Sequence, residues 1–377
     1  MGVELIATTP EIDVAIRAGA PIGFAISGGQ DSDVLVLEGN AELDRRGHTG
    51  PRLCIHSDLG VLAWESALPH CERLAHHAGL PLVVVRRQKG DLLDRWRERW
   101  QSNVRRYATL EICQLILPWS SPKMLFCRSE LKTAISNREL IRRFPGALII
   151  TAAGIRREES ATRATAPISA PEKGLENKTH GTRGLKWNPI ADYTLADVLE
   201  SHERHGFERN ETYSRGMTRH SCKFCVMAGL LDLITAANQP ENAELYHELV
   251  TIEIVSTFSF QSGRWLGDVA PHLLDAGQRV ALAEAKERAA VRQTAEARIP
   301  RHLLYERSGW PRALPTPAEA QVIAEVRRTV AAAVGLTIDY TDPDAIRDRY
   351  AELMAENARK QAEREQKEAR KALRLAA

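Results

Sequence analysis

Cysteine is scarce in this sequence, six in 377 residues. That is too few to staple a chain of this length as a secreted disulfide scaffold, and a reducing, cytoplasmic setting is expected. Long apolar runs are missing as well: no stretch approaches the roughly 18 residues that a spanning helix needs, so no membrane partner is expected. Met1 to Ala20 carries Glu4, Glu11, Asp13 and Arg17 among its apolar residues, unlike a secretory leader. An excess of one charge is also lacking. Lys and Arg number 51 against 49 Asp and Glu, a formal net charge of +2, so nucleic-acid contact has to rest on local patches. No internal repeat occurs, and neither does the Gly-x-x-x-x-Gly-Lys-Ser/Thr pattern of the phosphoryl-transferring Walker loop. What is present is ordinary for a folded protein, 44% hydrophobic and 27% charged residues, which excludes a wholly disordered chain. The length predicts one large core with an appendage, or two domains.

Through the first 230 residues, short apolar β-type runs alternate with longer amphipathic stretches, the runs being Ile22 to Ile26, Leu53 to His56, Leu82 to Val85 and Ala147 to Thr151. Alternation of this kind predicts an α/β fold, a parallel-sheet, doubly wound domain covered by helices. Ligands of open α/β sheets sit outside the carboxyl ends of the strands, so the chemistry is expected in the segments that follow those runs. Beyond Leu230 the β signal gives way to Ala-, Glu- and Arg-rich helical sequence punctuated by Pro300, Pro311, Pro315 and Pro317. The expected division is 1–230 as the nucleotide-binding domain, 231–355 as an α-helical C-terminal appendage and 356–377 as a charged helical tail. The tail reads as a solvated helix, with a basic docking arm as the alternative.

Between the strand ending at Ile26 and the helical sequence from Asp33 lies Ser27-Gly28-Gly29-Gln30-Asp31-Ser32. Its glycines let the backbone take positive φ and approach an anion, and the helix start adds free N–H groups and the positive end of a dipole. Ser27 and Ser32 bring hydroxyls, and Asp31 can orient the loop or help hold a Mg²⁺ ion that bridges phosphates. A Gly-Gly turn with a helix cap is the alternative.

This hexapeptide resembles the Ser-Gly-Gly-x-Asp-Ser loop of the PP-loop ATP pyrophosphatase and phosphoadenosine-phosphosulfate (PAPS) reductase superfamily. The resemblance continues in chain order to roughly Met227. His56-Ser57-Asp58-Leu59-Gly60 with Trp64-Glu65 resembles the segment after the second strand, and Gly154-Ile155-Arg156-Arg157-Glu158-Glu159-Ser160 is similar to a Gly-x-Arg-x-x-Glu-Ser element. Trp187-Asn188-Pro189-Ile190-Ala191-Asp192-Tyr193-Thr194 resembles the Trp-x-Pro-Ile-x-Asp-aromatic-Thr run of the reductase-like branch. It implies an adenine nucleotide alpha-hydrolase-like (HUP-type) fold that binds ATP, releases pyrophosphate and leaves an adenylated acceptor. Ser27, Gly28, Gly29, Gln30, Asp31, Ser32, Asp58, Gly154, Arg156 and Arg157 would then bind the nucleotide, with Asp31 and Arg156 in catalysis. Many members have lysine where this chain has Gln30. An amide adds no charge, so Arg156 and Arg157 are expected to supply it through bidentate contacts. Asp58 is placed to accept from a ribose or an adenine amine, or simply to form a turn. Thr194 suits the N-cap of a helix over Leu195 to His205, assisted by Asp197.

Cys222-Lys223-Phe224-Cys225 has the spacing of a metal or redox pair, and Cys127-Arg128-Ser129-Glu130-Leu131-Lys132 resembles a Cys-x-x-Glu-Leu-Lys element of reductase-like proteins. The resemblance implies that Cys127, Cys222 and Cys225 hold a [4Fe–4S] cluster, or with His220 a Zn²⁺ ion; three unconnected cysteines is the alternative. Cys54, Cys71 and Cys113 lie in apolar periodic surroundings and read as core. No cysteine follows Cys225, the region where sulfonucleotide reductases need their nucleophile. Between Arg86 and Tyr107, arginines interleave with Trp96, Trp100 and Tyr107, a pattern that suits unstacked bases. The i, i+4 spacing of the tryptophans also suits a helix packed on the core.

The function so implied is an ATP-dependent PP-loop enzyme that adenylates an acceptor for sulfur transfer. Its partners would be a nucleic acid, tRNA or DNA, and a sulfur-donor protein such as a cysteine desulfurase. A phosphoadenosine-phosphosulfate or adenylyl-sulfate reductase is the second reading. A non-catalytic nucleotide-sensing module, suggested by Gln30, is the third.

Overall fold

In the computed structural model, which describes residues 6–305 and 309–376, the apolar runs become strands β1 (Ile22–Ile26), β2 (Arg52–Asp58), β3 (Leu82–Arg86) and β4 (Leu148–Ala153). Two more join them, β5 (Ser169–Pro171) and β6 (Arg183–Trp187). Their sequences carry no continuous apolar run, and β5 lies at the sheet edge, where Pro171 costs no ladder bond. The strand order is β3-β2-β1-β4-β6-β5. Neighbours pair in parallel except for β5, which runs antiparallel to β6.

The helices up to Ala237 are, in chain order, α1 (Pro10–Arg17), α2 (Gln30–Arg45), α3 (Ala67–His77), α4 (Leu92–Ala108), the single turn α5 (Phe126–Arg128), α6 (Ala134–Arg143), α7 (Leu195–His205) and α8 (Leu230–Ala237). Strand side chains alternate between faces, so each strand can serve two cores. Ile22, Phe24 and Ile26 of β1 and Cys54 of β2 pack with Ile12, Ile16, Val36, Leu43 and Leu74 from α1, α2 and α3. Leu53, Ile55, Val83 and Ile149 pack instead with Leu140 of α6. The domain is therefore doubly wound. As expected, α7 starts at Leu195 behind a capping box of Thr194 and Asp197.

The winding reverses between β1 and β4, whose register sets Ala25 beside Ala153. Ser27 and Gly154 thus leave the carboxyl edge of the sheet on either side of the switch point, the crevice where such folds bind ligands.

The chain forms two compact units, one running through Arg95 and resuming over Ser120–Ala243, the other made of Trp96–Trp119 and everything from Glu244. The second unit is helical, with α9 (Ala243–Ser256), α10 (Ala276–Glu296), α11 (Pro317–Val334) and α12 (Pro343–Ala376). This division differs from 1–230, 231–355 and 356–377: Trp96–Trp119 folds with the C-terminal helices, and α12 passes through 356 without a break. Apolar packing is the reason. Trp96 meets Trp119 edge to face at 5.4 Å and Phe260 at 6.0 Å, while Tyr107 is buried with Ile299, Ile323, Val326 and Tyr350. The aromatic residues of the arginine-rich stretch are core residues of this unit rather than a surface for bases. Arg327 is fully buried and donates to the carbonyls of Tyr107, Ala108, Asp339 and Tyr340. Among the described residues no helix is long and apolar enough to cross a membrane.

Candidate functional site

The loop after β1 is tightly built. Gly28 has φ +83°, a conformation that side chains disfavour. The Ser32 hydroxyl donates to the Gly29 carbonyl at 2.7 Å and accepts the Ser27 N–H at 3.2 Å, closing the turn on itself. Gly29 is the N-cap of α2 and offers no side chain to the free N–H groups of the first turn. The Tyr213 phenol partly fills that role, accepting the Gln30 N–H at 3.0 Å.

Across the switch point, a Cβ on Gly154 would lie 2.4 Å from the Asp31 carbonyl oxygen, so the two loops touch through backbone. Arg156 is buried there, its Nε donating to Asp31 Oδ1 at 2.8 Å and its Nη1 to Glu158 Oε2 at 2.7 Å. Arg157 points its bonds elsewhere, to Asp192 and to the Ala166 carbonyl. The structure thus brings Arg156 to the loop and gives Arg157 to the neighbouring segment. Asp58 accepts the Gly60 N–H on one oxygen at 2.7 Å and pairs with Arg86 through the other, so it forms a turn anchored by an ion pair.

Residues 209–225 cover the loop, and sequence reasoning assigned most of them no role. The Arg209 guanidinium donates to Gln30 Oε1 at 3.2 Å and stands 5.2 Å from the centre of the Tyr213 ring. Tyr213 also accepts the His220 N–H at 3.3 Å. The His220 ring lies against the glycines, its Nε2 3.2 Å from where a Gly28 Cβ would stand, and its Nδ1 meets Thr212 Oγ1 at 3.0 Å. Burial pushes the His220 pKa down to about 3, so the ring is neutral. Asp232 fixes the turn by accepting from Thr218 N–H and hydroxyl at 2.7 and 2.9 Å, and Lys223 pairs with Glu65. Beneath the loop, fully buried Asp33 and His70 meet at 2.9 Å. No periodicity marks these residues; the signal available was the polar cluster just upstream of Cys222.

Cys222 and Cys225 share a sulfur hydrogen bond, and Cys127 is close enough to Cys222 to interact with it electrostatically. That bond raises the Cys222 thiol and lowers Cys225, with Arg219 and Lys132 favouring the thiolate. Three thiols from two segments suit iron–sulfur or zinc ligation in kind. Among the described residues no group of three or more His, Cys, Asp or Glu stands ready to hold a metal ion. His220 is engaged by Thr212 rather than by the sulfurs. Cys54, Cys71 and Cys113 are buried in the core, as expected. Burial, with the charges of Arg219 and Arg128, lowers the pKa of Arg163, and burial, with the charges of Arg128 and Arg163, lowers that of Lys186.

A doubly wound sheet with a glycine turn feeding a helix N-terminus at its switch point is the arrangement in which α/β proteins bind anionic ligands. The phosphoadenosine phosphosulfate reductase domain family matches residues 22–228, more than half of the chain, and the protein belongs to that family. A curated relative, an uncharacterized 37.8 kDa protein of Escherichia phage 186, is 30% identical over 124 residues, 32% of this chain and 35% of that protein. The chain thus spans about a third of that relative's length. Among solved structures, a phosphoadenylyl-sulfate reductase from Candida auris in its phosphate complex is 13% identical, with a TM-score of 0.37 over 57% of this chain and 88% of that one. The U34-tRNA thiolase NcsA from Methanococcus maripaludis with its [4Fe-4S] cluster is 14% identical, with a TM-score of 0.37 over 70% of this chain and 78% of that one.

Proposed function

We propose that this protein binds ATP on Ser27–Ser32, adenylates an acceptor with release of pyrophosphate, and serves sulfur transfer to a nucleic acid. The observation that supports this most is the convergence, at the switch point, of the Gly28-Gly29 turn, the first turn of α2 and the Arg156–Asp31 pair. An acceptor oxygen would attack the α-phosphorus, the bond to the pyrophosphate oxygen would break, and the loop N–H groups would stabilise the departing charge. A sulfur donor would then displace AMP. Mg²⁺ typically needs only one or two carboxylates besides phosphate oxygens, and Asp31 is the residue that would hold it; the ion would neutralise phosphate charge. Cys127, Cys222 and Cys225 are the residues that would hold a [4Fe–4S] cluster or, in the alternative, zinc. No step depends on either, and analysis of iron, sulfide and zinc in anaerobically purified protein tests the assignment.

Arg219 and Lys132, whose charges act on Cys225, and the family match favour a second reading, reduction of a sulfonucleotide. The lack of any cysteine beyond Cys225 weighs against it. Pyrophosphate release measured in parallel with tRNA, DNA and sulfonucleotides separates these. Release that requires tRNA or DNA supports the adenylation reading. Sulfite from a sulfonucleotide without pyrophosphate moves the protein to the reductases. ATP binding without turnover under every condition makes it a sensor.

A further inference from the structure

We infer that Arg209 is a phosphate-binding residue of this site, supplying to a nucleotide on Ser27–Ser32 the positive charge that Gln30 lacks. The inference rests on the reading that the loop takes a nucleotide. Its first support is charge accounting. The other arginines around the loop are already committed: Arg156 to Asp31 and Glu158, Arg157 to Asp192, Arg204 to Glu38, Arg215 to Glu211 and Glu241. Arg209 is exposed, and among the described residues its hydrogen bond is to a neutral amide, with no carboxylate partner. Arg219 is likewise without a carboxylate, but it acts on Cys225 rather than on the loop.

The second support is placement. Arg209 is held over the Tyr213 ring, and Tyr213 is fixed to the start of α2 by the Gln30 N–H. Stacking and a single hydrogen bond leave most of the five guanidinium N–H donors free. The third is the effect on Gln30. Its amide has one acceptor and one donor end, and an acceptor would repel a phosphate oxygen. Arg209 occupies that acceptor at 3.2 Å, so what remains of the pair is donors only, with a full positive charge. A guanidinium contacting a phosphate oxygen forms a charge-assisted bond, stronger than anything the amide offers alone.

The test uses the full chain and measures dissociation constants for ATP and AMP by calorimetry. Variants are Arg209→Ala, Arg209→Gln, Gln30→Lys and the double variant Arg209→Ala/Gln30→Lys, each checked for fold by circular dichroism. Arg209→Ala and Arg209→Gln are expected to weaken ATP by about tenfold or more, the size of one lost charge-assisted contact, and AMP far less. Gln30→Lys is expected to restore ATP affinity in the Arg209→Ala background. Wild-type ATP affinity in both Arg209 variants overturns the inference and leaves the nucleotide site standing. Loss that Lys at position 30 does not restore, or equal loss for AMP and ATP, also overturns it, since Arg209 would then only shape the loop. Failure of the unaltered protein to bind ATP would overturn the underlying reading itself.

Discussion

Asp31 and Arg156 neutralise one another across the switch point at 2.8 Å, and this makes their contributions to binding interdependent. Arg156→Ala is expected to cost about 1.5–3 kcal/mol of ATP affinity, partly because it leaves a bare carboxylate beside the phosphates. Adding Asp31→Asn, with Mg²⁺ omitted, is expected to recover part of that loss; strictly additive losses would mean that the two act separately. Gly29→Val is a blunter probe than the loop sequence suggests, because a Cβ there already meets the His220 Cβ at 3.3 Å. Much of this chemistry was legible in the chain because Ser27–Ser32 and Gly154–Ser160 are contiguous and follow apolar runs. Tyr213 and Arg209 were not, since the bonds from Gln30 to Tyr213 and from Arg209 to Gln30 span 183 and 179 residues and leave no local pattern. Arg157 and Asp58 were read from motifs, and only the fold shows that Asp192 and Arg86 engage them.

Helix ends govern the next level. The start of α2 lacks a capping side chain of its own, and Tyr213 supplies an acceptor from a distant segment. Tyr213→Phe orphans the Gln30 and His220 N–H groups, for an expected stability loss of about 1–3 kcal/mol. Hydrogen exchange should show faster opening of the Gln30 amide; unchanged exchange would mean that water caps the helix instead. At the end of α4, buried Arg327 takes the carbonyls of Tyr107 and Ala108, where the helix dipole is negative. Arg327→Met would leave four carbonyls without that donor and is expected to lower stability by about 3 kcal/mol or more in chemical denaturation. Strands β1, β2 and β4 were legible because they lie inside the sheet, largely buried and so nearly continuously apolar, and β3 because Leu82–Val85 stays apolar even though Val84 is exposed at the sheet edge. The edge pair β5 and β6 alternates with polar residues and passed below that signal.

At the scale of the whole chain, stability carries a pH dependence from the second unit. Glu253 is buried among the N–H groups of Phe260, Leu266 and Gly267, and burial raises its pKa to about 8 against the pull of those donors. An acid whose folded pKa is raised stabilises fully below its unfolded value and loses that contribution as pH climbs through the folded one. Thermal midpoints are therefore expected to fall between pH 4.5 and about 8, and Glu253→Gln should flatten the slope. Domain limits were the least legible feature, because nothing in the sequence of Trp96–Trp119 says that its partners lie beyond residue 244. The same arrangement imposes a timetable on synthesis. Trp96, Tyr107 and Trp119 leave the ribosome before Phe260, Ile323 or Tyr350 exist, so these large rings wait, uncovered, for the rest of their own unit. A chain stopped after Ala243 should therefore bind a hydrophobic dye that the complete chain does not, and the growing polypeptide has a built-in interval in which a chaperone is its natural company.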